Sequence, residues 1–307
     1  MTACSSPPRP FGRCWIGRPF RELLLSCALL SVVLAVLLPS PEIKHRFLGT
    51  DGETSKLIYV DQFHPEKDWT VDAPKGPRDI RMVGERTVLI SHRGGAAEFD
   101  LETGKQTWIV NGYIEVQAAI RLPNGNTLLG GLTEKGITLH EVDRAGKEIR
   151  RVVVEGRRPV RNMQRLENGN FLMTCGDPSR KSVIETDPAG KIIWEVPLPG
   201  PADDIDRLED GTTVAPTGSG GTALYIDKSG KVVATRGGKD AHPDLKIHWF
   251  AATQTLKNGN LVVANWLGHK PGLTGPHALE FDAANKAVWS WEDAQRVQTL
   301  HNVLVIE

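Results

Sequence analysis

The feature that most constrains the fold is a hairpin pattern that recurs at nearly regular intervals. In each copy an apolar run leads into an Asn-Gly or Asp-Gly pair, and a second apolar run follows. The copies are RLPNGNTLLGG from Arg121, RLENGNFLMTC from Arg165, RLEDGTTVAPT from Arg207 and TLKNGNLVVAN from Thr255. Such pairs between apolar runs are the strongest short-range signal for a tight β-hairpin. The chain is therefore predicted to consist largely of antiparallel strand pairs.

A second type of hairpin accompanies the first. Its copies are EFDLETGKQTWIV from Glu98, HEVDRAGKEIRRVVV from His140, IETDPAGKIIWEV from Ile184, LYIDKSGKVVATR from Leu224 and LEFDAANKAVWSW from Leu279. Asp opens these turns because its carboxylate accepts hydrogen bonds from backbone N–H groups further along the turn. Gly closes most of them because it tolerates a positive φ, and Asn285 takes its place in the last copy.

The two hairpins together form a unit of four antiparallel strands. The glycines of the first turns are about 44, 42 and 48 residues apart, at Gly125, Gly169, Gly211 and Gly259. Four strands in about 40 to 45 residues are typical of one blade of a β-propeller. With a degenerate copy at IRMVGERTVLISH, from Ile80, five blades are predicted between about residues 76 and 295.

The two ends of the chain are predicted to form a sixth blade. SKLIYV from Ser55 and KDWTVDAP from Lys67 read as outer strands, and QTLHNVLVIE from Gln298 reads as an inner strand. Strands from both ends in one blade would close the ring and leave no open sheet edge. The prediction is an all-β, six-bladed propeller of four-stranded antiparallel blades over residues 55–307, preceded by a linker at 41–54.

The N-terminus is predicted to be a targeting segment. Residues 1–22 are basic, and the apolar run LLLSCALLSVVLAVLL follows from Leu23 to Leu38. A positive flank before an apolar run keeps the N-terminus in the cytoplasm and sends the following chain across the membrane. Residues 23–40 are therefore a signal-anchor or a signal peptide, and the sequence leaves both open. The propeller is expected to be membrane-anchored through residues 23–38, or secreted or periplasmic if the segment is cleaved.

Charge and cysteine content exclude some classes of function. Lys+Arg and Asp+Glu are both 37, so the formal net charge is zero, which argues against a nucleic-acid partner. Beyond the N-terminal segment the only cysteine is Cys175, so that part of the chain has no intrachain disulfide. A lone cysteine among strand residues is predicted to be a small buried filler.

Three of the second hairpins resemble a known propeller repeat. AEFDLETGKQTW, TDPAGKIIWEV and FDAANKAVWSW are similar to the pyrroloquinoline-quinone-type (PQQ-like) repeat. The NGN hairpins, with Trp194 and Trp289 after the second turn, also look like arylsulfotransferase-type propellers over about residues 76 to 307. The resemblance implies architecture, since these are turn and packing residues.

No cofactor is predicted. The quinone-dependent dehydrogenases of this class are larger, with a calcium site and in many cases vicinal cysteines, and this sequence has no matching cysteine pair. A bound PQQ is therefore not expected. A divalent metal ion is left open, although no two histidines have the spacing of a zinc motif.

Two insertions indicate which face of the propeller is functional. Two loops are lengthened beside the last of these five blades, by GGKDAHPDLKIHWF from Gly237 and by WLGHKPGLTGPH from Trp266. Variable loops on a rigid scaffold are where binding and catalytic residues concentrate. These loops are predicted to bring together His242, His248, Trp249, Trp266, His269 and His277.

The inner strands add a second group of polar residues. Aligned on their turns, the copies place Gln117, Arg161, Asp203, Ala251 and His301 at equivalent positions around the central channel. Asn162, Asp204 and Asn302 follow one position later, and His92 and Asn265 lie near the ends of second strands. Polar groups that converge in a concave frame are the default binding-site hypothesis. The candidate ligand-binding residues are His92, Asp203, Asp204, Trp249, Asn265, Trp266, His269, His277 and Asn302.

Three functions remain open at this stage. The first is binding of a small molecule or a protein partner on the variable-loop face. The second is an enzyme, either a hydrolase or lyase, or a sulfuryl transferase in which the arylsulfotransferase resemblance implies a histidine nucleophile. His301, His248 and Arg161 are the candidate catalytic residues. The third is a structural platform with an exposed apolar patch. Arg161 and Asp203 also have a simpler explanation as an ion pair between blades.

Overall fold

Residues 42–177 and 179–307, the part of the chain that the computed structural model describes, form six four-stranded antiparallel sheets. The predicted basic region and signal segment, residues 1–40, lie outside the described residues. Strands β1 to β3 span Arg46–Asp51, Lys56–Asp61 and Trp69–Asp72. The second blade contains β4 to β7, at Ile80–Val83, Thr87–His92, Gly95–Asp100 and Gln106–Val110.

The other strands follow in the same order. The third blade contains β8 to β11, at Ala118–Arg121, Thr127–Thr133, Gly136–Val142 and Glu148–Glu155. The fourth contains β12 to β15, at Val160–Arg165, Phe171–Cys175, Ser182–Thr186 and Ile192–Pro197. The fifth contains β16 to β19, at Asp206–Arg207, Thr213–Pro216, Thr222–Ile226 and Val232–Gly237. The sixth contains β20 to β23, at Phe250–Thr255, Leu261–Asn265, Ala278–Phe281 and Ala287–Trp291, and β24 is Asn302–Val305. Two 3-10 helices span Pro65–Lys67 and Pro243–Leu245.

The ring closes in the first blade, whose strand order is β24-β1-β2-β3. Leu304 pairs with Leu48, and Val303 pairs with Gly49, so the two ends of the described chain share one sheet. The predicted six-bladed propeller and its shared blade are confirmed. Strand β1, however, lies within the segment 41–54 that the sequence assigned to a linker. Its apolar signal is short because Thr50 and Asp51 are buried as polar residues, and the propeller begins before residue 55.

The core consists of apolar layers between neighbouring blades. Phe47 on β1 packs edge-on against Trp289 and Trp291 of the sixth blade, with ring centroids 5.7 and 5.1 Å apart. Phe99, Phe171, Phe250 and Phe281 are likewise almost completely buried. Full burial of each such side chain contributes about 1.5–3 kcal/mol. Cys175 is buried as predicted, and burial raises the pKa of its thiol to about 11.

Polar contacts explain the second Asn of the NGN turns. Each of these side chains donates from Nδ2 to a Glu on the third strand of its own blade: Asn126 to Glu141, Asn170 to Glu185 and Asn260 to Glu280, at 2.7, 2.7 and 2.6 Å. The other oxygen of Glu280 lies 2.6 Å from His45 Nε2, at the closing blade. A charged acceptor makes such hydrogen bonds stronger than neutral ones. These glutamates therefore fix the turns and, at Glu280, connect neighbouring blades.

Within residues 42–177 and 179–307, no helix has the length and apolar character needed to cross a membrane.

Candidate functional site

The variable loops surround a cleft at one end of the central channel. Its volume is about 410 Å³, and its walls include Arg78, Arg161, Lys181, Trp249, Trp266 and His301. Six of the residues singled out in the sequence line it together: Arg161, Asp203, Trp249, Trp266, His269 and His301. A smaller pocket in the channel is lined by Gln117, Asn162 and Asn302, together with Asp79. The equivalent inner-strand positions therefore converge.

Two arginines form the cationic side of the cleft. Arg161 Nε is buried, makes no hydrogen bond to a described residue, and lies 3.4 Å from Asp203 Oδ1. The Arg78 guanidinium donates no hydrogen bond to any residue that the structure describes. Burial lowers the pKa of Arg78, and the nearby Arg161 lowers it further while Asp203 opposes this. An arginine still keeps its proton at any ordinary pH, so both groups are cations.

His301 lies between the arginines and the aromatic residues. Its Nδ1 accepts a hydrogen bond from the backbone N–H of Gly52 at 3.1 Å, so Nδ1 carries no proton. Burial, with the charges of Arg78, His269 and Arg161, holds the pKa of His301 well below its ordinary value. The ring is therefore neutral near pH 7 and carries its proton on Nε2. Nε2 is buried, makes no hydrogen bond to a described residue, and lies 3.7 Å from the nearest carboxylate, Glu53.

Two tryptophans line the same cleft. Trp249 donates from Nε1 to Asp203 Oδ2 at 2.9 Å, which fixes the indole. Trp266 meets Trp249 edge-on at a centroid distance of 5.8 Å and lies 5.6 Å from the His301 ring. His269 packs on Trp266 at 4.7 Å, and its Nδ1 contacts Glu53 at 2.9 Å. The cleft thus has one cationic wall and one aromatic wall.

Three glycines give these side chains their space. A Cβ at Gly52 would lie 2.9 Å from His301 Nδ1, and one at Gly176 would lie 2.5 Å from Arg161 Nε. A Cβ at Gly218 would lie 2.6 Å from Trp249 Cζ2, and Gly218 also has a φ of +55°. Gly218 belongs to the TGSGGT segment, whose tight loop supports the indole. No local sequence pattern connects these glycines with the site.

Deeper in the channel, an arginine bridges two blades. Arg81 on β4 donates from Nε to Asp79 Oδ2 at 2.8 Å, and from Nη2 to Asn162 Oδ1 at 3.1 Å and to the Met163 carbonyl at 2.7 Å on β12. These contacts occupy the channel with protein groups. Since Asp79 and Asn162 are used in this way, the channel at this level has a structural role.

Asp204 belongs to this buried polar region, outside the cleft. Its carboxylate accepts hydrogen bonds from the backbone N–H groups of Ile205 at 2.9 Å and Thr253 at 2.7 Å. Burial raises the pKa of Asp204 to about 7, and the charge of Asp79 adds to the increase, while the two N–H groups and Arg81 oppose it.

Three other candidates use their polar atoms inside loops. Asn265 accepts from the backbone N–H of His248 at 2.8 Å and donates to the Pro276 carbonyl at 2.7 Å, so it ties the two long loops together. His248 Nε2 lies 3.3 Å from the Thr274 carbonyl. His92 contacts the Gly94 N–H and the Val110 carbonyl, both at 3.2 Å. None of the three lines the cleft.

His277 lines a second cavity of about 400 Å³, together with Leu267, Leu273 and Thr274. It is 1% exposed, and its Nδ1 accepts from the Asp293 N–H at 3.2 Å. Burial lowers the pKa of His277, and the Gln298 carbonyl opposes this. The loop that begins with Trp266 thus separates two cavities: Trp266 and His269 face the cleft, and His277 faces the other side.

Arg78 and Asp79 are the channel residues that the sequence alignment missed. The hairpin of the second blade closes with Val83 opposite Thr87, whereas the third blade closes with Arg121 opposite Thr127. Its turn is shorter, so alignment on the turn glycine displaces the whole inner strand. When the inner strands are aligned on their last paired residues instead, Asp79 takes the position in the second blade that Gln117 takes in the third.

Among residues 42–177 and 179–307, no group of three or more His, Cys, Asp or Glu side chains is arranged to hold a metal ion.

Several solved structures are similar to this chain. A protein of unknown function from Bacteroides caccae has a TM-score of 0.72 and 21% identity, over 86% of this chain and 99% of that chain. A streptogramin B lyase has a TM-score of 0.56 and 12% identity, over 85% and 87% of the two chains. The WD40 β-propeller domain of Doa1 has a TM-score of 0.54 and 15% identity, over 71% and 70%.

These likenesses establish the class of protein, a β-propeller, and nothing finer, because identity this low shows the fold alone. No family model matches the chain. None of the curated proteins matches it either.

Proposed function

We propose that this propeller binds a small organic molecule in the cleft on its variable-loop face. One observation carries the proposal: His301 Nε2 and Arg161 Nε are buried and make no hydrogen bond to a described residue, and both residues line the cleft that contains Trp249 and Trp266. A buried polar atom left without a partner costs about 1–3 kcal/mol. Such atoms need an explanation in a native structure, and a bound molecule supplies one here.

The shape of the cleft favours a small molecule over a protein partner. A volume of about 410 Å³ falls within the usual range for small-molecule sites, roughly 300–1,000 Å³. A protein-binding platform would instead present a flat apolar patch. The large apolar side chains that are exposed on strands belong to outer strands of blades, such as Ile149, Ile193 and Val233, and none lines the cleft.

Sulfuryl transfer is the less favoured alternative. A histidine nucleophile needs a free lone pair facing the substrate. The Gly52 N–H occupies the lone pair of His301 Nδ1, so Nε2 holds the proton and acts as a donor. His248 does not line the cleft. A hydrolase or lyase would need a general acid or base, and a neutral histidine whose pKa is held low is a weak one.

The proposal includes a location outside the cytoplasm. The basic residues 1–22 and the apolar run from Leu23 to Leu38 support export or membrane anchoring of the propeller. Protease accessibility of the full chain in intact cells tests this part independently of ligand binding.

A thermal-shift screen of the full-length protein tests the binding function. The panel holds neutral, anionic and cationic aromatic compounds, sugars and sugar acids. A ligand at about 100 times its Kd adds roughly 2.7 kcal/mol of stability, which raises the melting temperature measurably. The shift should be lost in Trp266→Ala and kept in Trp108→Ala, whose indole lies away from the cleft beside Arg121 and Arg144. If no class of compound shifts the wild-type protein, the function is not small-molecule binding.

A further inference from the structure

We infer that the ligand of this cleft is an organic anion. Its oxyanion group, a carboxylate, sulfonate, sulfate ester or phosphate, lies against Arg78, Arg161 and His301, and its apolar body lies against Trp249 and Trp266. The inference rests on the proposed function and narrows it to a chemical class.

Arg78 and Arg161 differ from other arginines of the fold in their hydrogen bonding. Arg81 makes three hydrogen bonds in the channel, and Arg157 forms a bidentate pair with Glu195 at 2.8 and 2.7 Å. Arg78 and Arg161 line the same cleft, close enough for the charge of Arg161 to lower the pKa of Arg78, and neither guanidinium makes a hydrogen bond to a described residue, although Arg161 lies 3.4 Å from Asp203. Two adjacent cations repel each other, and this repulsion is relieved by an anion between them.

The side chains around the cleft carry more positive than negative charge. Arg78, Arg161 and Lys181 line it, and Asp203 is the carboxylate among the lining residues. Asp203 accepts from the Trp249 indole on one oxygen and lies 3.4 Å from Arg161 on the other. Glu53, behind His301, is already in contact with His269. Three cations against two engaged carboxylates leave an excess of positive charge for a ligand to neutralise.

His301 presents a hydrogen-bond donor, its Nε2–H group, beside the arginines. The Gly52 N–H fixes the tautomer, so Nε2–H is available beside the arginines as a neutral donor. A hydrogen bond from a neutral donor to an oxyanion is shorter and stronger than one to a neutral oxygen. A cationic or purely donor ligand group would leave His301 Nε2 unsatisfied. The histidine therefore selects an acceptor, and the arginines select a negatively charged one.

The aromatic wall defines the other half of the ligand. Indole rings provide large apolar faces, and Trp249 and Trp266 stand at 74° to each other. A flat apolar body can pack against one ring and meet the edge of the other. The cleft volume accommodates an aromatic ring system of one or two rings beside the oxyanion group.

The test is a titration, by calorimetry and by tryptophan fluorescence, of the full-length protein with three matched probes. These are 2-naphthoate, its neutral isostere 2-naphthamide, and the cation 2-naphthylmethylammonium. We expect the naphthoate to bind about tenfold or more tightly than the amide, since charge-assisted hydrogen bonds exceed neutral ones. Arg78→Gln and Arg161→Gln should each remove most of this preference. Arg86→Gln, at an exposed arginine paired with Asp100 and Glu102, is the matched control and should retain it.

A second readout concerns His301. Because the His301 ring stays neutral, affinity for the naphthoate should be flat between about pH 6 and pH 8 in a His269→Gln variant, which lacks the other histidine of the cleft. Equal affinity for naphthoate and naphthamide, or tighter binding of the ammonium, would overturn the anion inference and leave the binding function intact. Failure of all three probes alongside binding of a neutral or cationic compound in the wider screen would also overturn it. Failure of every compound in that screen would remove the proposed function itself.

Discussion

Replacing Asp204 by Asn should change how the stability of the propeller depends on pH. Burial raises the pKa of this carboxyl from 3.8 to about 7, so the folded state binds its proton more tightly than the unfolded state does. Its stabilising contribution is fully present below the unfolded pKa of 3.8, and it is lost as the pH rises to the folded pKa of about 7. At 1.36 kcal/mol per pKa unit, the ionised carboxylate lowers the free energy of unfolding by about 4 kcal/mol.

About half of this change lies within an accessible range. Between about pH 5 and pH 7 the unfolded chain has already lost the proton and the folded chain still keeps it, which corresponds to a decrease of about 2 kcal/mol. Urea unfolding of the wild type and Asp204→Asn across this range measures the difference between their free energies of unfolding. The Asn variant starts lower, because its amide presents N–H groups to the backbone donor of Ile205 or Thr253.

The decisive quantity is the slope of that difference with pH. Asp227→Asn serves as the control: hydrogen bonds from Ser229 and Lys231 lower the pKa of this exposed turn carboxyl, so both of its states are ionised throughout the range. A difference between wild type and Asp204→Asn that stays constant from about pH 5 to pH 7 would refute the argument, since Asp204 would then titrate alike in both states.

Three further perturbations have defined outcomes. Gly176→Ala places a methyl group 2.5 Å from Arg161 Nε, so binding of 2-naphthoate should weaken about tenfold while binding of 2-naphthamide is unchanged; calorimetry on both probes distinguishes this from general damage. Glu280→Gln replaces one of two buried acceptor oxygens with an NH2 group, so either His45 or Asn260 loses its acceptor, and the free energy of unfolding in urea should fall by about 2–4 kcal/mol. Cys175, with a thiol pKa of about 11 and 1% exposure, should resist iodoacetamide at pH 8 until urea unfolds the chain, as judged by mass spectrometry of its peptide; rapid labelling of the folded protein would contradict its burial.

The sequence predicted the architecture because turn chemistry is local. Asp187, for example, accepts from the N–H groups of Ala189 and Lys191 at 2.9 Å, and Asn285 adopts a φ of +62° where other copies have Gly. These requirements are visible in a few consecutive residues. Strand β1 was missed because its residues Thr50 and Asp51 are buried by partners at the other end of the chain, such as the N–H of Gln298.

The site could be predicted only in part, for a related reason. Alignment of repeats located Arg161 and His301, because equivalent positions of a ring necessarily meet at its axis. It placed Asp204 beside them, although Asp204 precedes strand β16 and its carboxylate accepts hydrogen bonds from the backbone N–H groups of Ile205 and Thr253. Gly52 and Gly176 could not be predicted as site residues. Their contribution is the lack of a side chain, and no local sequence pattern shows where that space is needed.

The joint that closes the ring also positions His301. The N–H of this residue donates to the Thr50 carbonyl at 2.8 Å, extending the ladder between β24 and β1, while its ring is held by Gly52 just beyond the end of β1. A molecule held against His301, Arg161 and Trp249 would therefore bind beside the one described sheet whose neighbouring strands, β24 and β1, come from the two ends of the described chain. Release of β24 would empty the cleft, and an occupied cleft would resist that release. Binding of a ligand in the cleft should therefore slow amide hydrogen exchange along Phe47–Thr50. This segment is distant in sequence from most of the residues that line the cleft.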